Sequence, residues 1–171
     1  SVAAWLLREQ GCDVLGITLR LHPEGSAPTA LRHFEHAREV AARLGIRHEV
    51  LDLSDTFRQT IVTPFVDTFA RGDTPSPCIR CNVLIKFGAL LEYARERGCT
   101  ALATGHYARL EPDPATGRVR LRRGLDAKKD QSYFLFGLSQ AQLRRARFPL
   151  GELLKRDVRR HALELGLIPT D

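Results

Sequence analysis

Val14-Leu15-Gly16-Ile17-Thr18-Leu19-Arg20-Leu21 is the stretch on which the fold class turns. It is a short, almost continuously apolar run, and runs of that length and composition read as a strand buried on both faces. Upstream, Val2, Ala3, Leu6 and Leu7 recur at helical spacing, and Gly11 supplies a stop. Because the first residue is Ser1 and the amphipathic pattern begins at once, a segment is expected to precede it. Downstream, His22 to Thr29 holds two prolines and a glycine and reads as a loop. Leu31, Phe34, Ala37, Val40, Ala41 and Leu44 then share one helical face, Gly45 ends it, and His48 to Leu53 reads as the next strand.

The alternation continues. Asp55 is placed to cap a further helix, interrupted near Pro64, which has no N–H to donate. Gly72 to Pro77 is a loop, and Val83, Leu84, Phe87, Leu90, Leu91 and Ala94 make another one-sided helix closed by Gly98. Thr100 to Thr104 is a short strand leading into Gly105-His106-Tyr107, the kind of exit where α/β proteins place ligand chemistry. Ala108 to Leu110 and Arg118 to Leu121 can pair across Pro112 to Gly117. Two short helices follow, with Ser139 and Asp157 as caps. The economical fold is one α/β domain over residues 1–171, a parallel sheet with helices on both faces.

Composition sets the outer limits. A chain of 171 residues, 43% hydrophobic and 27% charged, can bury a core, which sets disorder aside. No apolar run approaches the roughly 20 residues that span a bilayer, and no signal-peptide pattern opens the chain. A cytoplasmic protein without membrane partners is expected. The net charge of +6 is unevenly placed: residues 1–85 carry 9 Lys/Arg against 10 Asp/Glu, residues 86–171 carry 17 against 10. Clusters such as Arg118 to Arg123, Lys128-Lys129, Arg144 to Arg147 and Lys155 to Arg160 suit phosphate neutralisation by a nucleic-acid-binding face, and equally suit a solvated Arg-rich surface.

Chemistry concentrates in Thr74-Pro75-Ser76-Pro77-Cys78-Ile79-Arg80-Cys81-Asn82. The prolines stiffen a loop that feeds a helix, so both cysteines are expected near a helix N-terminus, where unpaired N–H groups favour a thiolate. Arg80 and Lys86 add positive charge. A thiolate there is a nucleophile for sulfur or acyl chemistry. Cys12 and Cys99 are isolated, so a four-thiolate zinc site lacks its second pair, and a thioredoxin-like pair would follow an early strand rather than a proline-rich loop.

Four blocks carry a family resemblance: Thr74 to Asn82 with Ile85-Lys86-Phe87, Ala103 to Tyr107, Lys129-Asp130-Gln131-Ser132-Tyr133-Phe134-Leu135, and Phe148-Pro149-Leu150-Gly151. Their order and spacing resemble the tRNA-specific 2-thiouridylases. The resemblance implies a PP-loop ATP-pyrophosphatase domain of HUP (Rossmann-like) type, followed by smaller central and C-terminal domains. It implies adenylation of the C2 oxygen of the tRNA wobble uridine by ATP with Mg2+, and its replacement by sulfur from a persulfide supplied by a donor protein. By position, Cys81 matches the nucleophile that attacks the persulfide on a second cysteine. Ser76, Pro77 and Cys78 match the target-base stretch, Ser1, Leu19 and Gly105 match ATP-contacting positions, and His106, Lys129, Asp130 and Gln131 match tRNA-contacting ones.

The chain departs from the family pattern in three places. Many members have an acidic residue where Cys78 stands. Of the phosphate loop only the final serine is present, matched by Ser1, and the persulfide cysteine falls beyond Asp171, so this stretch by itself is not expected to turn over. Related sulfurtransferases hold an iron–sulfur cluster on clustered cysteines, which would make Cys78 and Cys81 ligands. A non-catalytic tRNA-binding or cysteine-cluster fragment is the alternative reading.

Overall fold

Helix and strand alternate along the chain as the apolar periodicity requires. The structure, a computed structural model, describes residues 1–23 and 28–167, without the side chains of 28–31. Helix α1 (Val2–Glu9) ends at Gly11, whose φ of 79° lies in the left-handed region that glycine adopts without strain. Strand β1 (Leu15–Arg20), helix α2 (Pro28–Arg43) and strand β2 (Arg47–Asp52) form a βαβ unit, with Leu15 opposite Arg47 and Arg20 opposite Asp52 in parallel register. Phe34, Ala37 and Val40 of α2 are half-buried, and Ala41 and Leu44 are buried. The expected loop His22–Thr29 lies partly outside the described residues, as does the side chain of Leu31; α2 already includes Thr29.

After β2 come α3 (Ser54–Phe57), a π-helical turn (Arg58–Val62) and α4 (Thr63–Ala70). A loop then leads to α5 (Pro77–Cys81), which runs without a break into a π-helical segment (Asn82–Leu90) and α6 (Leu91–Glu96). Strand β3 (Leu102–Ala103) precedes an antiparallel hairpin, β4 (Ala108–Asp113) and β5 (Arg118–Arg123). Asp113 holds the hairpin turn by accepting from Ala115 N–H at 3.1 Å and Thr116 Oγ1 at 2.8 Å, and pairs with Arg120 at 2.6 Å. A 3₁₀ turn (Ser132–Leu135), α7 (Gln140–Arg145), β6 (Ala146–Arg147) parallel to β3, and α8 (Lys155–Glu164) complete the order.

This is an α/β fold with parallel strand pairs, as the alternation predicts. The pairs β1–β2 and β3–β6 share one core, in which Phe87, Leu90, Leu91, Leu102, Leu135 and Leu143 are buried and Ile17, Leu19 and Leu51 pack against them. A second cluster joins α1, α8 and the residues after β3 through Val2, Ala3, Tyr107, Leu150, Val158 and Ala162. Full burial of one such aliphatic or aromatic side chain stabilises by about 1.5–3 kcal/mol.

Three local expectations are corrected. Leu84, assigned to the apolar face of its helix, is 39% exposed, while Ile85 is fully buried. Winding with i→i+5 bonds rotates the face presented to the core. The widened helix tolerates this because position 88 is glycine; a Cβ there would stand 3.0 Å from the Val83 carbonyl oxygen. Asp55 lies inside α3, and it is Asp52 that accepts the Ser54 N–H at 2.9 Å. Asp157 lies inside α8, where Asp126 accepts the Lys155 N–H at 2.9 Å. Ser139 does cap α7, in a capping box with Gln142.

Candidate active site

Pro77 occupies the first turn of α5, where its missing N–H costs nothing, and Ser76 precedes it with φ −114° and an unbonded hydroxyl. Cys78 is exposed near this start. Cys81 is the fifth residue of the same helix and is half-buried, so both cysteines lie near the helix N-terminus, as expected, but only Cys78 is exposed there. Burial pushes the Cys81 thiol up from its ordinary value; the Lys86 ammonium pulls it down and Cys78 pushes it up, and the net direction is upward. Burial thus opposes the thiolate expected there.

Arg80 does not serve the sulfur. Its Nε donates to the Thr60 carbonyl at 2.6 Å. Thr60 stands four residues before Pro64, so its carbonyl is the one that would lose an α-helical donor to proline. Arg80 thus ties the cysteine helix to the π turn before α4, and the nearby cation is Lys86. Cys81 and Lys86 are i and i+5, and the π-helical segment returns residue i+5 close to the same side of the helix.

The exit after β3 lies beside the cysteine helix, because the Phe148 ring meets both Phe87 of that helix, at 6.0 Å, and His106, at 5.9 Å. His106 is 7% exposed, its Nδ1 lies 2.6 Å from Thr104 Oγ1, and its ring meets Phe148 edge-on at 5.9 Å. Burial, reinforced by Lys86, lowers its pKa to about 4, so the ring is neutral at pH 7. Gly105 is exposed, has no left-handed φ, and would place a Cβ no closer than 3.6 Å to Leu150. The fold itself has no need of a glycine there. Gly124 is the opposite case, since a Cβ would lie 2.7 Å from the Tyr107 carbonyl oxygen.

The Lys129-Asp130-Gln131 block is sewn to this exit. Gln131 Oε1 accepts the Tyr107 N–H at 3.0 Å, and the Gln131 N–H donates to the Tyr107 carbonyl at 2.9 Å. Burial alone would raise the Asp130 carboxyl, but hydrogen bonds from the Gly124 N–H at 2.9 Å and the Ser132 hydroxyl at 2.8 Å leave it lowered. Asp130 and Gln131 therefore spend their side chains inside the chain, whereas the Lys129 side chain is exposed and makes no ion pair among the described residues. Buried Asn82, beside Cys81, donates from Nδ2 to the Phe134 carbonyl at 2.9 Å, fixing the cysteine helix to the 3₁₀ turn.

Leu19 is the fifth residue of β1, opposite Leu51, and its side chain packs on the core. Ser1 stands at the N-cap of α1 with no side-chain cap bond. Cys78 and Cys81 are joined by no further His, Cys, Asp or Glu able to complete a metal site among the described residues; Cys12 and Cys99 follow α1 and α6. Among the described residues Cys78 and Cys81 thus supply two of the four thiolates that commonly hold an iron–sulfur cluster. Sequence reasoning did not single out Thr104 or Asn82 as site residues. Both sit next to the residues that were, and a polar residue adjoining a buried reactive one was the available signal.

Comparison with known proteins places the chain in a class. A family model described as the tRNA methyl transferase HUP domain matches residues 1–171, and the chain belongs to that family. The relatives share one particular name. The tRNA-specific 2-thiouridylase MnmA of Heliobacterium modesticaldum is 48% identical over 173 residues, covering 98% of this chain and 45% of the relative. Those of Rhizobium etli (strain CFN 42) and Bartonella quintana are 48% and 47% identical over 177 residues, covering 98% and 100% of this chain and 43% of each relative. The chain spans less than half the length of these curated relatives.

Proposed function

We propose that this chain is the HUP-type ATP-pyrophosphatase domain of a tRNA-uridine 2-sulfurtransferase, acting within a longer protein that supplies the phosphate loop, a second cysteine and the further domains. The observation that carries it is the assembly of the four blocks: Asn82 beside Cys81 donates to the Phe134 carbonyl, Gln131 accepts the Tyr107 N–H, and the Phe148 ring lies against both Phe87 and His106 of the exit that follows Gly105. ATP is the co-substrate with Mg2+, and tRNA and a persulfide-bearing donor protein are the partners. No helix among the described residues is long and apolar enough to cross a membrane, which suits a cytoplasmic site of action.

Each residue then has a task. Leu19 and Gly105 both lie at the carboxyl ends of parallel strands, where nucleotides bind in open α/β sheets. Gly105 lets the backbone approach ATP, a role supported by the lack of any packing reason for a glycine; Ser1 meets the phosphates and Leu19 the adenine. Ser76, Pro77 and Cys78, on the exposed face before Cys81, receive the target base. Lys129 neutralises tRNA phosphate, while Asp130 and Gln131 hold Lys129 and the exit in place. His106, being neutral, offers a hydrogen bond rather than charge to RNA.

ATP transfers its adenylyl group to the uridine C2 oxygen, releasing pyrophosphate. The Cys81 thiolate attacks the inner sulfur of the persulfide, forming a disulfide with the second cysteine and releasing hydrosulfide. That sulfur adds at C2, and AMP departs with the oxygen.

Some exposed cations remain free for RNA. Arg120 and Arg122 are paired with Asp113 and Glu111, and Arg160 with Asp157 and Glu164. Arg118, Arg123, Lys128, Lys129 and Arg159 make no side-chain hydrogen bond or ion pair among the described residues. The family description speaks of methyl transfer and the relatives' names of thiolation; Cys81 favours sulfur. Full-length protein incubated with ATP, Mg2+, a persulfide donor, a thiol reductant to reopen the Cys81 disulfide, and unmodified tRNA is expected to yield 2-thiouridine in nucleoside mass spectrometry. Methylated uridine in its place, dependent on a methyl donor and not on ATP, would overturn the proposal.

A further inference from the structure

Lys86 is a half-buried cation that forms no hydrogen bond or ion pair among the described residues. Such a side chain gives up part of its hydration, and a fold retains one more readily where a negative group forms beside it. Three features single out its position. It belongs to the π-helical segment Asn82–Leu90, a winding frequent at functional sites. That winding brings it round to Cys81, five residues back, which an α-helix would leave facing elsewhere. The winding is held by a neighbouring helix, since Gln142 Nε2 donates to the Val83 carbonyl at 3.1 Å and the Phe87 carbonyl at 2.9 Å.

We infer that Lys86 is the positioning residue for the reactive sulfur: its ammonium stabilises the Cys81 thiolate, and the π-helical winding exists to bring the two together. The surroundings offer no substitute. Arg80 is committed to the Thr60 carbonyl, and Asn82 is turned to Phe134. His106 is neutral and adds no charge, and Cys78 disfavours the anion. Among the described residues Lys86 is the one charged group that acts against burial of the thiol. This goes beyond the thiolation reading and does not depend on it, because the state of the sulfur is measurable without ATP or tRNA.

The test is alkylation by iodoacetamide, in which the thiolate displaces iodide, followed site by site by peptide mass spectrometry on the full-length protein from pH 6 to 10. In Lys86→Met the Cys81 rate at pH 7.5 is expected to fall about tenfold and its profile to move to higher pH, while exposed Cys78 does not slow. Lys86→Arg, which keeps the charge, is expected to stay within about twofold of the parent. Lys86→Gln repeats the measurement should the methionine variant fail to fold. Unchanged Cys81 profiles in a folded Lys86→Met or Lys86→Gln protein overturn the inference, whatever becomes of tRNA thiolation.

Discussion

His106 sits at the exit of β3 with Nδ1 2.6 Å from Thr104 Oγ1 and its ring against Phe148, so little solvent is left to stabilise an imidazolium. Its pKa of about 4 lies below the ordinary value of 6.5, so between those limits the unfolded chain binds the extra proton. The stability this contributes is present above pH 6.5 and is lost as pH falls through the window, approaching about 3 kcal/mol once both states are protonated. Urea unfolding of the parent and of His106→Asn at pH 7 and pH 4.5 checks this. The parent is expected to lose more stability between the two pH values, and equal losses would place the ring in solvent. At this scale the sequence showed which residue types met at the Gly105-His106-Tyr107 exit but not their states. A buried thiol and an exposed one read alike, and Arg80 and Lys86 looked interchangeable until the carbonyl near Pro64 claimed one of them.

At the scale of elements, the decisive feature is the widened helix over Asn82–Leu90. Gly88 opens space beside the Val83 carbonyl, and the side chain of Gln142, from the N-terminal turn of α7, supplies donors to Val83 and Phe87. Gln142 also closes the capping box with Ser139, so one residue serves two helices. Gln142→Ala is therefore expected to lower unfolding free energy by about 1–3 kcal/mol, the cost of leaving part-buried carbonyls without donors. Denaturant titration measures it, and a change within about 0.3 kcal/mol would show that water replaces the amide. The strands and most helix ends were legible because glycine and apolar periodicity mark them locally. The π winding was not, since Gly88 alone does not specify it and Gln142 lies more than fifty residues away.

For the whole molecule, the parallel α/β class followed from the alternation around β1, and the proposed site was drawn from four blocks far apart in sequence. Tertiary hydrogen bonds hold those blocks side by side: Asn82 reaches Phe134, and Gln131 reaches Tyr107 twice. The excess charge of the second half was a blunter guide, because hairpin and α8 arginines are partly spent on carboxylates such as Asp113, Glu111 and Asp157. The central claim of the proposal is that Cys81 delivers the sulfur and that the affinity for tRNA comes from other groups than its thiol. The direct measurement compares full-length parent and Cys81→Ser for tRNA affinity and for 2-thiouridine formed with ATP and a persulfide donor. Thiolation is expected to fall at least about a hundredfold with affinity unchanged within about twofold. Undiminished thiolation in Cys81→Ser would contradict the account.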